Sequence, residues 1–195
     1  MSRIRTFVAV DVDAEVRRRA SQLIDTLSDI APSVRWVTPE NLHITLKFLG
    51  DAPDSEIYEI CRRVSKVASQ HVAFSPRFVG VGAFPSPERP RTIWIGIDEG
   101  AAALEALHTE IDESLGDLGY PLEPRAYRAH LTIGRVSQRH RQTGALREQI
   151  LHRENQEFGR TTALECLVMA SEMTSEGPRY SVMGRGSLRN STVSD

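Results

Sequence analysis

The chain has 195 residues, of which 40% are hydrophobic, and it carries 24 basic and 26 acidic side chains. This length and composition indicate a globular protein with one substantial domain or two small fused lobes. The formal net charge of −2 argues against the broad basic face of proteins that bind long duplexes, but it allows a local pocket for a nucleic-acid end. No apolar stretch reaches the roughly 20 residues that a transmembrane helix needs. Cys61 and Cys166 do not make a disulfide framework, so we expect a reduced, cytoplasmic protein.

The spacing of apolar residues and turn residues predicts strands and helices along most of the chain. In chain order they are a strand at 4–12, a helix at 14–30, strands at 34–37 and 42–48, a helix at 54–70, strands at 73–83 and 91–97, a helix at 100–117, a strand at 128–135, a short helix around 144–152, and strands at 161–172 and 179–184. The first helix is expected to bury one apolar face, made of Val16, Ala20, Leu23, Ile24 and Leu27. Helices mixed with hairpins indicate an α+β fold with helices outside antiparallel sheets.

Two short stretches in this pattern read almost alike. The first holds His43 and Thr45, and the second holds His130 and Thr132, each pair inside a run of apolar residues. Residues i and i+2 of a strand point to the same face. Each His-x-Thr motif therefore presents one imidazole and one hydroxyl on the same side of its strand.

The surroundings of the two motifs repeat as well. Residues 5–11 resemble residues 91–98, and each of these strands is followed by a long amphipathic helix and then by a His-x-Thr strand. The two histidines are offset by 87 residues, and such self-similarity indicates an internal duplication. We therefore expect residues 1–186 to form one bilobal domain, with two pseudo-symmetric lobes of antiparallel sheet and outer helices around a central cleft. Residues 187–195 are expected to be a disordered tail.

Two imidazoles in one cleft are suited to acid–base chemistry on a small anionic group. Histidine has an ordinary pKa of about 6.5, so neutral and protonated rings coexist near neutral pH. With such values the rate is expected to be highest between about pH 6 and pH 8. The threonine hydroxyls can donate hydrogen bonds to phosphate oxygens. The residues alone do not separate the acid from the base.

A metal site built on the two histidines is an alternative interpretation. No nearby Asp, Glu or Cys completes a ligand set of familiar spacing, which disfavours it. Cys166 lies in an apolar strand and is expected to be a core residue. The remaining histidines are expected at the surface, namely His71, His108, His140 and His152.

The motifs and their flanks resemble those of the two-histidine (2H) phosphoesterase superfamily, and most closely the bacterial RNA 2′,3′-cyclic phosphodiesterases, also called LigT-like proteins or 2′-5′ RNA ligases. The resembling segments are residues 7–10, 35–50, 82–85, 91–96 and 130–135. Ala129 departs from the pattern, since these enzymes often carry proline before the second histidine. The resemblance implies the same bilobal fold, with segments that cross between the lobes, and hydrolysis of RNA 2′,3′-cyclic phosphate ends.

The resemblance also implies a role for each residue of the site. His43 would protonate the leaving O3′ and His130 would activate water, so that the product is a 2′-phosphate. Thr45, Thr132 and Arg135 would hold the phosphate. No metal and no cofactor are implied, and the partners would be RNA ends or nucleotides that carry a 2′,3′-cyclic phosphate. We expect a monomer with no membrane partner.

Two other functions remain open from the sequence. Reversible 2′-5′ ligation of RNA would use the same pocket, and a non-catalytic module would bind nucleotides or RNA ends without reacting. The two imidazoles disfavour the second, because binding does not need both. Phe7, Phe48, Trp94 and Tyr127 lie on or near motif strands; most are expected in the core, and one is available to stack on a nucleobase. The basic segment 139–141 is expected in a solvated loop rather than on RNA.

Overall fold

The computed structural model of the chain describes residues 2–137, 144–175 and 177–190. Within these ranges the elements are β1 (Arg3–Asp11), α1 (Ala14–Ile30), β2 (Arg35–Trp36), β3 (His43–Pro53), α2 (Ile57–Ala68), β4 (Arg77–Phe84), β5 (Thr92–Ile97), α3 (Ala101–Gly116), β6 (His130–Arg135), α4 (Gly144–His152), β7 (Glu157–Arg160), β8 (Glu165–Thr174) and β9 (Gly177–Ser187). None of the helices in the described residues is long and apolar enough to cross a membrane. The predicted α+β class is confirmed.

The strands of the described residues form one antiparallel sheet in the order β7-β4-β5-β6-β3-β1-β8-β9, with β2 also paired to β6. The order is symmetric about its centre, because β3, β1 and β8 on one side correspond to β6, β5 and β4 on the other. We call β3, β1, β8 and β9 the first half and the other strands the second half. The halves meet where Ile44 pairs with Leu131, and both side chains are fully buried.

Helices α1 and α3 each pack on one half of the sheet, while the strand that precedes the helix belongs to the other half. α1 follows β1 of the first half but packs on β7 and β6 of the second. α3 follows β5 of the second half but packs on β3 and on α2. All five residues predicted to face inward from α1 are buried. This crossing joins the two halves, because the core of each half is completed by a helix that follows a strand of the other half.

Strands β4, β7 and β8 differ from the sequence expectation. β4 begins at Arg77 rather than at residue 73, directly after the buried Pro76, which has no N–H to donate to a ladder. β7 was not predicted, because Glu157–Arg160 is only four residues long and lies within a polar segment, where alternation is hard to detect. β8 consequently begins at Glu165 instead of residue 161.

The end of the chain is ordered further than the sequence suggests. Ser187 is the last residue of β9, so the predicted tail does not begin there. Leu188 is buried, and Arg189 forms an isolated bridge with Val72. Residues 191–195, the rest of the predicted tail, lie outside the described residues.

Candidate active site

The register at the centre of the sheet gathers the four motif side chains. The central pair of β3 and β6 points into the core, so the residues on either side of it point the other way. Extending this antiparallel register by one residue places His43 opposite Thr132 and Thr45 opposite His130. All four side chains are half-buried. They lie together on one face, at the junction of the two halves.

His43 has a partner at each ring nitrogen. Nδ1 lies 2.7 Å from the carbonyl oxygen of Asn41, and Nε2 lies 3.1 Å from Thr45 Oγ1. Phe7 and Tyr180 flank the ring, with centroids 4.9 and 5.4 Å away. Phe7 comes from β1 and Tyr180 from β9, so strands far apart in the chain fix the orientation of this ring.

His130 repeats the arrangement in the second half. Nδ1 lies 2.6 Å from the carbonyl oxygen of Arg128, again two residues earlier. The Phe84 ring meets it edge-on at 5.2 Å, and the Trp94 ring lies at 6.5 Å. The Arg128 guanidinium lies over Phe84, 5.4 Å from the ring centre. These residues line a cavity of about 340 Å³ beside His130.

The two carbonyl contacts determine which nitrogen carries a proton. A carbonyl oxygen only accepts, so Nδ1 of His43 and of His130 must donate. A neutral ring then has its lone pair on Nε2, and a protonated ring carries its second proton there. In both histidines Nε2 is therefore the atom that can take or give a proton.

Burial lowers the pKa of both histidines, because the charged imidazolium loses hydration. The hydrogen bond from Nδ1 to the carbonyl oxygen raises each pKa and so offsets part of this lowering. The two rings differ in their charged neighbours. The Asp11 carboxylate raises the pKa of His43, although nearby arginines lower it. The guanidinium groups of Arg135 and Arg128 lower the pKa of His130.

Arg135, the last residue of β6, is exposed beside the cleft. Its charge lowers the pKa of His43, His130 and Tyr180, so its guanidinium lies near all three. A cation next to two half-buried imidazoles attracts anions into the cleft. Its planar set of donors matches the geometry of a phosphate group.

The chain is similar to known proteins over most of its length. Residues 10–94 match the family model described as LigT like Phosphoesterase. A protein of Archaeoglobus fulgidus named RNA 2′,3′-cyclic phosphodiesterase is 36% identical over 177 residues, which cover 91% of this chain and 96% of that protein. The chain belongs to the LigT-like phosphoesterase family.

Other members of the LigT-like family agree with this assignment. A protein of Methanothermobacter thermautotrophicus with the same name is 35% identical, over 93% of this chain and 97% of its own. The crystal structure of E. coli LigT complexed with 3′-AMP superposes with a TM-score of 0.75, covering 96% of this chain and 99% of that one. At 22% identity that likeness concerns the fold. The predicted family and its class of enzyme, a phosphoesterase, are confirmed.

Several residues of this LigT-like site were not predicted from the sequence. The carbonyl groups of Asn41 and Arg128 set the two tautomers, and Phe84 and Tyr180 flank the rings. A backbone carbonyl has no sequence signature. The one available signal is its position, two residues before the histidine in both motifs.

One prediction about the remaining histidines is wrong. His108, expected at the surface, is buried on α3, and its Nδ1 lies 2.7 Å from the carbonyl oxygen of Leu46. Cys166 is buried, as expected of a core residue, and burial raises the pKa of its thiol to about 12. His140 and the basic segment 139–141 lie outside the described residues.

Proposed function

We propose that the chain hydrolyses the 2′,3′-cyclic phosphate of RNA ends or nucleotides to a 2′-phosphomonoester. The observation that carries this proposal is the pair of half-buried histidines on one face, both with Nδ1 bonded to a backbone carbonyl so that Nε2 is left for proton transfer, and with Arg135 beside them. The relatives named RNA 2′,3′-cyclic phosphodiesterase support the substrate class.

In the reaction His130 acts as the general base and His43 as the general acid. Neutral His130 takes a proton from water at Nε2 while the water oxygen attacks phosphorus in line with O3′. The P–O3′ bond breaks, and protonated His43 gives its Nε2 proton to O3′. The phosphate stays on O2′. Afterwards His130 carries the extra proton and His43 lacks one, and exchange with solvent restores both.

The charges around the two rings support this division of roles. Asp11 favours the protonated form of His43, against the opposing charges of Arg135 and Arg17, and an acid requires that form. Arg128 and Arg135 favour the neutral form of His130, as a base requires. An anionic phosphate between the rings would favour protonation of either one, and the carboxylate beside His43 biases that proton toward the first half.

Thr45, Thr132 and Arg135 are the proposed donors to the non-bridging oxygens. The Thr45 hydroxyl lies 3.1 Å from Nε2 of His43, so a bound phosphate would exchange with that contact. Thr132 occupies the same position in the second motif and stands opposite His43 in the register. Negative charge is held on these oxygens in the transition state, where fixed donors stabilise it.

Aromatic rings beside His43 support binding of a single-stranded end. Phe7 and Tyr180 have ring centroids 5.0 Å apart. Phe48 lies 6.0 Å from Phe7 and is 54% exposed. Unpaired bases are commonly bound by stacking on such rings. The E. coli LigT structure contains 3′-AMP, and a nucleoside of that kind is the ligand we propose for Phe48 and the half-buried Tyr180, which both pack on the buried Phe7.

Reversible 2′-5′ ligation is the second candidate. The observation that favours it is the other aromatic group, Phe84 and Trp94, on the His130 side. In a ligation the 5′-hydroxyl of a second nucleoside replaces water beside the base, and these rings could stack on its nucleobase. A module that binds without reacting is less well supported, because binding does not need both Nε2 atoms.

The test is to incubate the protein with a 2′,3′-cyclic nucleotide, with and without a chelator, and to identify the phosphomonoester isomer by chromatography. We expect the 2′-isomer under both conditions. Within the described residues, no three His, Cys, Asp or Glu side chains are grouped to hold a metal ion. Formation of the 3′-isomer, or activity lost to chelator and restored by one divalent metal, would contradict the proposal. Adding RNA with a 5′-hydroxyl tests for ligation.

The proposal includes a monomer in a reducing cytoplasm. Both cysteines are free, with Cys61 half-buried and Cys166 buried, as suits a compartment where thiols stay reduced. Light scattering coupled to size exclusion would measure the oligomeric state, and a dimer would contradict this part.

A further inference from the structure

A buried ion pair anchors the α3–β6 loop, residues 117–129, to β3. Lys47 Nζ bonds Asp112 of α3, and the two side chains are 1% and 11% exposed. Lys47 also donates to the carbonyl oxygen of Pro121 at 2.8 Å, and Asp112 accepts from the N–H of Glu123 at 3.0 Å. A buried ion pair is stable where further hydrogen bonds satisfy it. The first part of the loop is therefore fixed.

Tyr127 fixes the end of the same loop. Its hydroxyl donates to the carbonyl oxygen of Thr45 at 3.0 Å. Its ring stacks on His108, with centroids 4.2 Å apart and 12° between the planes. His108 Nδ1 in turn donates to the carbonyl oxygen of Leu46 at 2.7 Å. These contacts reach the backbone of two successive residues of β3, beginning inside the first motif.

Tyr127 also precedes the residue that orients the second histidine. The Arg128 carbonyl accepts the Nδ1–H of His130 at 2.6 Å. A planar peptide unit joins Tyr127 to the Cα of Arg128, so a shift of Tyr127 displaces Arg128 and with it the carbonyl that His130 contacts. At the other end, the Thr45 hydroxyl lies 3.1 Å from Nε2 of His43. One tyrosine thus links Thr45, whose hydroxyl contacts His43, to Arg128, whose carbonyl orients His130.

We propose that Tyr127 is a positioning residue that holds the two His-x-Thr motifs in register across the cleft. The proposed mechanism needs Nε2 of His43 and Nε2 of His130 aligned with one phosphorus atom. A misplacement of 1 Å can cost about 10²-fold in rate. The kinetic consequences rest on the proposed function, whereas the effect on the ring of His130 holds for any chemistry at this site.

Tyr127→Phe tests the inference by deleting the hydroxyl alone. The matched control is Tyr120→Phe in the same loop, whose hydroxyl donates to Glu56 Oε2 at 2.7 Å, before the start of α2. Both variants lose one tyrosine hydrogen bond. With a 2′,3′-cyclic nucleotide, Tyr127→Phe should lower kcat about tenfold and change KM less than about twofold, while Tyr120→Phe should change neither by more than about twofold.

An NMR titration of the His130 ring gives a second result that does not depend on turnover. The hydrogen bond to the Arg128 carbonyl raises the pKa of His130, against the lowering charges of Arg135 and Arg128. If Tyr127→Phe disturbs this hydrogen bond, the pKa of His130 should fall in that variant. In Tyr120→Phe the pKa of His130 should equal the wild-type value. The resonance is assigned from its absence in His130→Gln.

Unchanged kcat together with an unchanged His130 pKa in Tyr127→Phe would overturn the inference. Equal losses of kcat in the two tyrosine variants, parallel to equal losses in melting temperature, would also overturn it, because they would show a general effect of stability. If the wild-type protein does not hydrolyse cyclic phosphates, the proposed function fails and the titration alone decides. A lowered pKa then supports the positioning role, and an unchanged pKa overturns it.

Discussion

The two halves of the sheet present the same motif in different surroundings. In both, Nδ1 donates to the carbonyl oxygen two residues earlier, at 2.7 Å for His43 and 2.6 Å for His130. The first half adds the Asp11 carboxylate, which raises the pKa of His43, and the second adds Arg128, which lowers the pKa of His130. The repeat thus provides two equivalent rings in different charged surroundings: arginines lower the pKa of both, and at His43 the Asp11 carboxylate opposes them.

The halves also differ beneath the motifs. Lys47 of the first half is buried against Asp112. With the 87-residue offset of the histidines, the corresponding position of the second half is Gly134, where a Cβ would come within 2.8 Å of the Trp36 ring. A charge pair therefore supports one motif strand and aromatic packing supports the other, so the halves should respond differently to substitution.

Removing either histidine should have the largest effect on activity. We expect His43→Ala and His130→Ala each to lower kcat by roughly 10²–10⁴, the contribution of a general acid or base. The double variant should lose less than the product of the two, because the residues act together. Steady-state kinetics on a 2′,3′-cyclic nucleotide measure this. His152→Ala, an exposed residue of α4, is the control, and kcat within threefold of wild type in either motif variant would refute the assignment.

Breaking the ion pair between Lys47 and Asp112, which supports the motif strand of the first half, should lower the free energy of unfolding. Lys47→Met leaves Asp112 buried without its partner, and such losses cost about 3–5 kcal/mol. Lys47→Met combined with Asp112→Leu should recover most of this free energy of unfolding. Urea denaturation measures both, with Lys66→Met on the exposed face of α2 as the control. A loss below about 1 kcal/mol in the single variant would show that the pair contributes little.

The phosphate donors should have smaller effects on rate. A hydrogen bond to a charged group is worth about 1.5–3 kcal/mol, so Thr45→Val and Thr132→Val should each lower kcat/KM by about 10- to 150-fold. The fold should persist, since valine suits a strand. Arg135→Lys should also be impaired, because lysine does not reproduce a bidentate contact, whereas Arg160→Lys in β7 should not. Unchanged kinetics in both threonine variants would assign them to packing.

The smallest expected effect is a displacement of the pH profile. Because burial lowers both histidine pKa values, kcat/KM should be bell-shaped with a maximum below about pH 6.5, the ordinary histidine value. This lies toward the acidic end of the range expected from unperturbed rings. A bound phosphate anion raises both pKa values, so kcat should peak at higher pH than kcat/KM.

The variant Asp11→Asn tests which histidine sets each limb of the pH profile. It removes the charge that raises the pKa of His43, so the limb on the basic side should move to lower pH while the acidic limb, set by His130, stays. Asp25→Asn, an exposed residue of α1, should move neither limb. Movement of the acidic limb instead would assign the base to His43.

Where burial is one-sided and regular, the sequence is sufficient to predict the element. α1 begins and ends at the predicted residues, and the i, i+2 spacing places each motif's histidine and threonine on one face. β7 was missed because a four-residue strand gives too few alternations. The tautomer of each ring cannot be predicted from the sequence, because it is set by a hydrogen bond to a backbone carbonyl. Every residue has such a carbonyl, so the sequence does not mark the one that is used.

Lys47 shows why alternation alone fails inside the first motif strand. Counting by two from His43 and Thr45 would place Lys47 on the cleft face. A register shift opposite Val8 and Ala9 inserts Leu46 as an extra residue, and Leu46 and Lys47 are both buried. A bulge of this kind reorients the side chains that follow it, and hydrophobic periodicity contains no signal for it.

The division of roles between the rings is tested most directly by a substrate whose leaving group needs no proton. A 3′-deoxynucleoside 2′-(4-nitrophenyl phosphate) places nitrophenolate where O3′ departs, and release of nitrophenolate is followed by absorbance after binding of each variant has been verified. His43→Ala should lose less than about tenfold in kcat with this substrate, against roughly 10²–10⁴ with the cyclic phosphate, whereas His130→Ala should stay as impaired as before. Rescue of His130→Ala instead would reverse the roles, and rescue of neither variant would contradict acid–base catalysis by this pair.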